Sequence, residues 1–171
     1  MSAVPLTRRA ALACLGAFAF PSAIGVGHAG AQPGFRFSKI VVDVAPLRAR
    51  VGDPTAAWVQ QTLPGALDQS LSSYVGPGGR GGATLVARID DLYLGPNSGG
   101  TGPWGASQDT INGSVLIRGP HGGVAGSAPV RAIAFYHPSP VDQPMRVESN
   151  YWRVVALSQA FAGWVPRELG L

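Results

Sequence analysis

The sequence contains almost no cysteine and few charged side chains. Of 171 residues only Cys14 is a cysteine, and charged residues make up 13%. Cys14 lies in an N-terminal segment that we expect to be removed, which would exclude a disulfide, a cysteine-ligated metal and a cysteine nucleophile. Lysine occurs once, at Lys39, and there is no run of basic residues. Nucleic-acid binding requires clustered phosphate contacts, so we expect no nucleic-acid partner.

The N-terminus has the three parts of an export signal. The tripeptide TRR at residues 7–9 precedes an apolar run from residue 10 to about residue 20, and small residues follow, ending AGA at 29–31. The run is too short to span a bilayer stably, and AGA fits a signal-peptidase site. We therefore expect cleavage after Ala31 and a periplasmic or secreted protein.

Two properties of this signal leave its type open. TRR resembles the twin-arginine signal used for folded cargo, whereas general secretory signals can also carry two arginines. Cys14 could in principle be lipidated. However, the apolar run continues past Cys14, and Ala11 stands three places before it where a lipoprotein signal has a large aliphatic residue. Removal of Cys14 with the signal is the favoured interpretation.

The remaining chain has the size of one domain. Cleavage after Ala31 leaves 140 of the 171 residues, from Gln32 to Leu171. That length is enough for a single hydrophobic core. Loss of Arg8 and Arg9 leaves 11 basic and 9 acidic residues, so the net charge falls from +4 to +2. We expect no transmembrane segment in this domain. The sequence does not indicate its oligomeric state.

Apolar alternation predicts four strands, over residues 35–47, 83–94, 109–118 and 124–137. Pro46 is expected to end the first strand. The last two are expected to form a hairpin closed by the segment Gly119–Gly123. In the second strand the apolar phase slips after Asp90 and Asp91, which predicts a β-bulge or the end of the strand.

Two helices are predicted from apolar stripes. The first is expected to begin at Asp53-Pro54, to kink or break at Pro64-Gly65, and to end at Gly76-Pro77. The second is expected to begin at Ser149 or Asn150 and to end at Pro166. The expected buried positions are Val59, Leu63, Leu67 and Leu71 in the first helix, and Tyr151, Val154, Leu157, Phe161 and Trp164 or Val165 in the second.

The order β-α-β-β-β-α predicts an α+β fold. We expect a two-layer sandwich with about four mostly antiparallel strands and two helices on one face of the sheet. The segments IVVDVAPL (40–47), ATLVARIDDL (83–92) and DTINGSVLI (109–117) resemble the small envelope domains of ABC-transport auxiliary lipoproteins and of the TolB N-terminal region. This resemblance covers most of the chain after residue 31. It implies a non-catalytic partner in an envelope assembly and supplies no catalytic residues.

No set of nucleophile, base and orienting group is recognisable. Ser98 lies in PNSGG, which resembles the GDSGG of chymotrypsin-like proteases, but Asn97 replaces the aspartate. The one upstream histidine, His28, belongs to the signal, and no G-x-S-x-G motif occurs. An enzyme is therefore the less favoured interpretation. We expect no catalytic residues, no metal and no cofactor.

Five residues are candidates for binding. Asp91 and Asp109 border the same loop and could offer oxygen ligands, but solvation of a turn or capping of backbone N–H groups explains them more simply. Arg80 in GGRGG could bind an anion, although the segment lacks the lysine of a P-loop and precedes a strand. His137 is expected at the rim of the sheet. The fifth candidate is Trp104, in the loop from about residue 95 to residue 108.

Trp104 carries the main functional hypothesis. Gly and Pro residues forbid regular structure in this loop, and long loops are commonly functional. An indole there either covers the core or anchors a partner. The favoured hypothesis is an exported, non-catalytic domain that binds another envelope protein. The alternatives are a periplasmic hydrolase or small-ligand-binding protein that uses Asp90, Asp91, Asp109 and His137, and a structural protein without a specific ligand.

Overall fold

A computed structural model of the chain describes residues 36–76, 82–96, 107–136 and 146–171, without the side chains of residues 107, 136 and 146–148. The elements run in chain order as β1 (Phe37–Asp43), α1 (Ala45–Val51), α2 (Thr55–Ser70), β2 (Ala83–Tyr93), β3 (Ser107–Arg118), β4 (Val124–Tyr136) and α3 (Arg146–Glu168).

The strands form one open sheet in the order β1-β2-β3-β4. The β1–β2 pair is parallel, and α1 and α2 provide the crossover that a parallel pair requires. The β2–β3 and β3–β4 pairs are antiparallel. The predicted α+β fold with a mostly antiparallel four-stranded sheet is therefore confirmed, as is the β3–β4 hairpin.

One face of this sheet forms the core. Alternate residues of β2, β3 and β4 are buried against the helices, and most of the residues between them are partly or fully exposed, whereas in β1 only Phe37 is buried. α2 and α3 also contact each other. The hydroxyl oxygens of Thr62 and Ser158 lie 2.9 Å apart, and the rings of Trp58 and Tyr151 pack edge to face. The fully buried large side chains include Phe37, Leu47, Val59, Leu63, Leu67, Leu71, Leu85, Ile89, Ile111, Leu157, Phe161 and Leu169.

The first predicted strand is too long, because its last part is helical. β1 ends at Asp43, and α1 follows with Pro46 in its first turn. Proline fits there since the first-turn N–H groups have no partner within a helix. The Asp43 carboxylate accepts a hydrogen bond of 2.9 Å from the Ala45 N–H. The predicted order therefore lacked one short helix.

The boundaries of α2 differ from the prediction in three ways. Asp53 does not cap the helix, since its carboxylate lies 3.3 Å from Arg48 Nε. Pro64 does not break the helix, because the carbonyl it leaves unpaired belongs to the exposed Gln60, where water can bind it. The helix ends at Ser70 rather than Gly76, because the backbone around Tyr74 pairs with Phe37 of β1.

The last helix is longer than predicted at both ends. α3 begins at Arg146 and includes Pro166. Burial of Val165 and Leu169 on the same stripe favours continuation of the helix past the proline. One predicted stripe residue, Tyr151, is only partly covered. Of the alternatives Trp164 and Val165, Val165 is the buried one and Trp164 is exposed.

The predicted β-bulge is present in β2. The β2–β3 register shifts between Ile89 and Asp91, opposite Gly113. A Cβ atom at Gly113 would lie only 2.2 Å from the backbone oxygen of Arg88. The close backbone approach at the bulge therefore requires glycine at this position.

We predict opposite effects for two glycine-to-alanine substitutions. Gly113→Ala should lower the free energy of unfolding by about 1–3 kcal/mol, because the backbone of β2 must move away. Gly163→Ala in α3 is the control, since a Cβ there meets no atom within 4 Å. It should raise the free energy of unfolding by about 0.5–1 kcal/mol. Urea denaturation measures both, and equal effects would contradict the close approach at Gly113.

Candidate functional site

The structure describes two of the five candidate binding residues. Asp91 lies in β2, and Asp109 lies near the start of β3. Arg80, Trp104 and His137 lie outside the described residues, as does Ser98. Asp91 and Asp109 stand on either side of the segment 97–106, as their positions in the sequence require.

Asp109 forms a buried ion pair with Arg153 of α3. The Asp109 side chain is 1% exposed and that of Arg153 is 2% exposed. Arg153 Nε donates to Asp109 Oδ2 at 2.8 Å, and Arg153 Nη2 donates to Asp109 Oδ1. This is the two-pronged geometry in which a guanidinium matches a carboxylate.

The same two side chains bind the backbone of Gly95. Its N–H donates to Asp109 Oδ1 at 2.9 Å, and its carbonyl oxygen accepts a hydrogen bond of 2.7 Å from Arg153 Nη2. Arg153 Nη1 also donates to the Asn150 side-chain oxygen at 3.3 Å. Desolvating two charges costs several kcal/mol per ion, so such a pair persists only when further hydrogen bonds satisfy its polar atoms. The contacts to Gly95 and Asn150 meet that requirement.

The ion pair fixes both ends of the segment 97–106. Gly95 precedes the segment by two residues, and Asp109 follows it by three. Both are joined to Arg153 on α3. The loop of the sequence analysis therefore starts and finishes on a buried, charged anchor that ties β2, β3 and α3 together.

Arg153 is not among the predicted site residues, although the sequence carries a signal for it. It lies four residues before Leu157, and Leu157 lies four residues before the buried Phe161. That spacing places Arg153 on the buried stripe of α3. A charged residue on such a stripe needs a buried partner, and Asp109 supplies it.

Asp91 and Asp109 have different ionic partners and different exposure. Asp91 Oδ1 lies 3.6 Å from Arg50 Nε of α1, and both side chains are partly exposed. Its neighbour Asp90 pairs with Arg88 at 2.8 Å. Asp109 is buried, with both carboxylate oxygens hydrogen-bonded. In the described part of the chain, no three His, Cys, Asp or Glu side chains are grouped as metal ligands would be.

The sheet face opposite the helices carries an apolar patch at this end. Tyr93, Ile133 and Phe135 are 56%, 42% and 52% exposed. Tyr93 pairs with Thr110, which pairs with Ile133, so these three form one row across the strands. Phe135 pairs with Gln108, one step nearer the segment 97–106. We call Tyr93, Ile133 and Phe135 the open-face patch.

Three solved structures superpose on this chain at low sequence identity. No family model and no curated protein matches the chain. A minor lipoprotein from Acinetobacter baumannii superposes with a TM-score of 0.39 and 9% identity, over 77% of this chain and 94% of that one. A PelC dodecamer from Paraburkholderia phytofirmans gives a TM-score of 0.40 and 12% identity, over 80% and 93%. An uncharacterized protein gives a TM-score of 0.32 and 17% identity, over 63% of this chain and 66% of that one. Similarity at this level does not transfer a function to this chain.

Within the four described ranges, no helix combines the length and the apolarity needed to cross a bilayer.

We predict a large difference in stability between two aspartate substitutions. Asp109→Asn should lower the free energy of unfolding by about 3–5 kcal/mol, because it leaves the Arg153 charge buried without its counter-ion. Asp90→Asn also breaks an ion pair with arginine, but an exposed one, and should cost less than about 1 kcal/mol. Urea denaturation of the two variants checks this, and similar losses would show that the buried pair is not an anchor.

Proposed function

We propose that this chain is exported and acts as a non-catalytic domain that binds another protein of the cell envelope. The binding surface is the open-face patch together with the adjoining loop of residues 95–108. The export signal read from the N-terminal sequence supports the location. The observation that carries the binding role is the open-face patch, because it groups three large apolar side chains on a face that no described helix covers.

The composition of the patch suits recognition of a protein. Tyr93 and Phe135 are aromatic residues, which are enriched at protein interfaces. Thr110 and Gln108 lie between and beside them and can form hydrogen bonds around the apolar contacts. Clustered apolar side chains with polar neighbours are typical of interaction sites, whereas scattered ones are not.

The anchor beneath the loop supports the same proposal. A binding surface is more effective when it is already ordered, because less conformational entropy is lost on association. The hydrogen bonds from Arg153 to Asp109 and Gly95 fix both flanks of the loop before any partner binds. Trp104 lies three residues before Ser107, so covalent geometry keeps its Cα within about 11 Å of the start of β3. We therefore include Trp104 in the proposed surface.

The other candidate residues have weaker support as a site. A hydrolase would need Asp109 at an accessible position, but its carboxylate is buried and bound to Arg153 and Gly95. Asp91 is paired with Arg50. The geometry of the described residues therefore favours the protein-binding role for this end of the molecule.

Photo-crosslinking in cells tests the proposal. A photoreactive amino acid replaces Tyr93 in one variant and Trp104 in another, and Gln61 on the exposed side of α2 is the control position. We expect a discrete adduct to a second protein from positions 93 and 104, and none from position 61. Mass spectrometry of the adduct then gives the partner.

The stability of each variant is measured beside its crosslinking. If positions 93 and 104 give no adduct in variants that remain folded, the surface does not bind a protein and the proposal fails. Adducts of equal yield at all three positions would also contradict it, because they would show collision rather than a defined interface.

A further inference from the structure

We propose that two copies of this chain associate through their β4 strands. The strands pair antiparallel about a two-fold axis at Ile133, and the two four-stranded sheets join into one sheet. The inference goes beyond the proposed function, because it concerns a second copy of the chain and the edge of the sheet rather than an envelope partner on the sheet face.

β4 is an edge strand with an accessible outer side. It is 13 residues long and pairs with β3 alone in the described sheet. Such an edge presents unpaired N–H and C=O groups and is a template for another strand. On the outer side of Arg131, Ile133 and Phe135, no hydrogen bond to the described residues is present.

Pro129 shows which backbone groups of β4 point outward. It pairs with Ser114 of β3 and has no N–H, so this pair must be one that does not exchange hydrogen bonds. The register with β3 is constant from residue 126 to residue 136, and pairs of the two kinds alternate. Like Pro129, the residues Arg131, Ile133 and Phe135 therefore form pairs that do not exchange hydrogen bonds with β3. Their N–H and C=O groups face away from β3.

These outward groups are complementary to those of a second copy. With Ile133 on the two-fold axis, it lies opposite Ile133 of the other chain, and Arg131 lies opposite Phe135. All three pairs can then exchange both backbone hydrogen bonds, about six bonds in total. Pro129 lies just beyond this window and limits the pairing to the second half of β4.

The side chains favour this register over one centred on Arg131. Arg131 opposite Phe135 allows the guanidinium to lie on the aromatic ring, a cation–π contact that forms twice in the dimer. A register centred on Arg131 would instead place two like charges directly opposite each other, which is destabilising, and would bring Pro129 into the pairing. Charge and proline therefore both disfavour pairing centred on Arg131.

Beside this edge, α3 also leaves one large apolar side chain partly uncovered. Trp164 of α3 is 40% exposed. Trp164 borders a groove of about 380 Å³ beside β4. The other residues that line this groove are Asn112, Gly113, Pro129, Val130, Arg131 and Glu168. In the proposed register, position 136 of the second copy, a tyrosine, lies opposite Val130 at this groove.

A cysteine placed at the axis tests the register. The chain is used with Cys14→Ser, so that an introduced thiol is the only one. Cα atoms of a hydrogen-bonded pair are about 5.5 Å apart, within the range of a disulfide. Ile133→Cys should therefore form a disulfide dimer on mild oxidation. Neither Arg131→Cys nor Phe135→Cys should form a disulfide dimer on its own. A mixture of the two variants should form a disulfide between them.

Proline variants test the edge itself. Ile133→Pro removes only an outward N–H, as Pro129 does, so the fold should be retained while association weakens at least about tenfold. Ser127→Pro has the same outward position but lies outside the pairing window, and should change association less than about twofold. Sedimentation equilibrium of the purified protein measures the self-association, and circular dichroism checks the fold.

The possible results separate this inference from the proposed function. A monomer at all concentrations, or equal disulfide yields from all three cysteine variants, overturns the β4 dimer and leaves the open-face patch to be tested by crosslinking in cells. Disulfide formation confined to Ile133→Cys supports the dimer even if no envelope partner is found. If Ile133→Pro does not fold, the cysteine variants still decide the outcome.

Discussion

The buried ion pair between Asp109 and Arg153 is the contact on which the architecture of one end of the molecule depends. Two charges without water are stable only when every donor and acceptor is occupied. The pair meets this condition by binding Gly95 on both its N–H and its carbonyl oxygen. The segment after β2, the start of β3 and α3 therefore cannot separate without breaking the ion pair and the hydrogen bonds to Gly95. Side-chain packing alone would allow more variation in their relative positions.

A second constraint is that the described helices cover one face of the sheet. They bury alternate residues of β2, β3 and β4, so the residues between them lie on the other face. In an antiparallel sheet that face is commonly polar and solvated. Here it carries Tyr93, Ile133 and Phe135 at the end that the ion pair stabilises. An ordered end and an exposed apolar surface therefore coincide, and this coincidence distinguishes the region from the rest of the open face.

The sequence was sufficient for what depends on local periodicity. Three predicted features follow from the spacing of apolar residues, and all three are present. They are the buried stripe ending at Leu71, the β-bulge at Asp90 and the β3–β4 hairpin. Helix boundaries were predicted less well, because Pro46 and Pro166 were interpreted as stops although both lie inside helices. The ion pair was missed for a different reason: its partners are 44 residues apart, and no local pattern relates them.

The periodicity of apolar residues does not show how well an exposed edge strand is protected against pairing with another strand. Pro129 and Arg131 are the kinds of residue that prevent pairing at an edge. Their positions do not protect all of β4, because Pro129 blocks only the first half and Arg131 faces an aromatic ring in the register centred on Ile133. The unprotected half is also the part of β4 that carries Ile133 and Phe135. If two copies join there, the two open-face patches become one surface on the same side of a continuous sheet. A partner with a two-fold axis of its own would then contact both patches at once, and the second contact would strengthen binding through effective concentration.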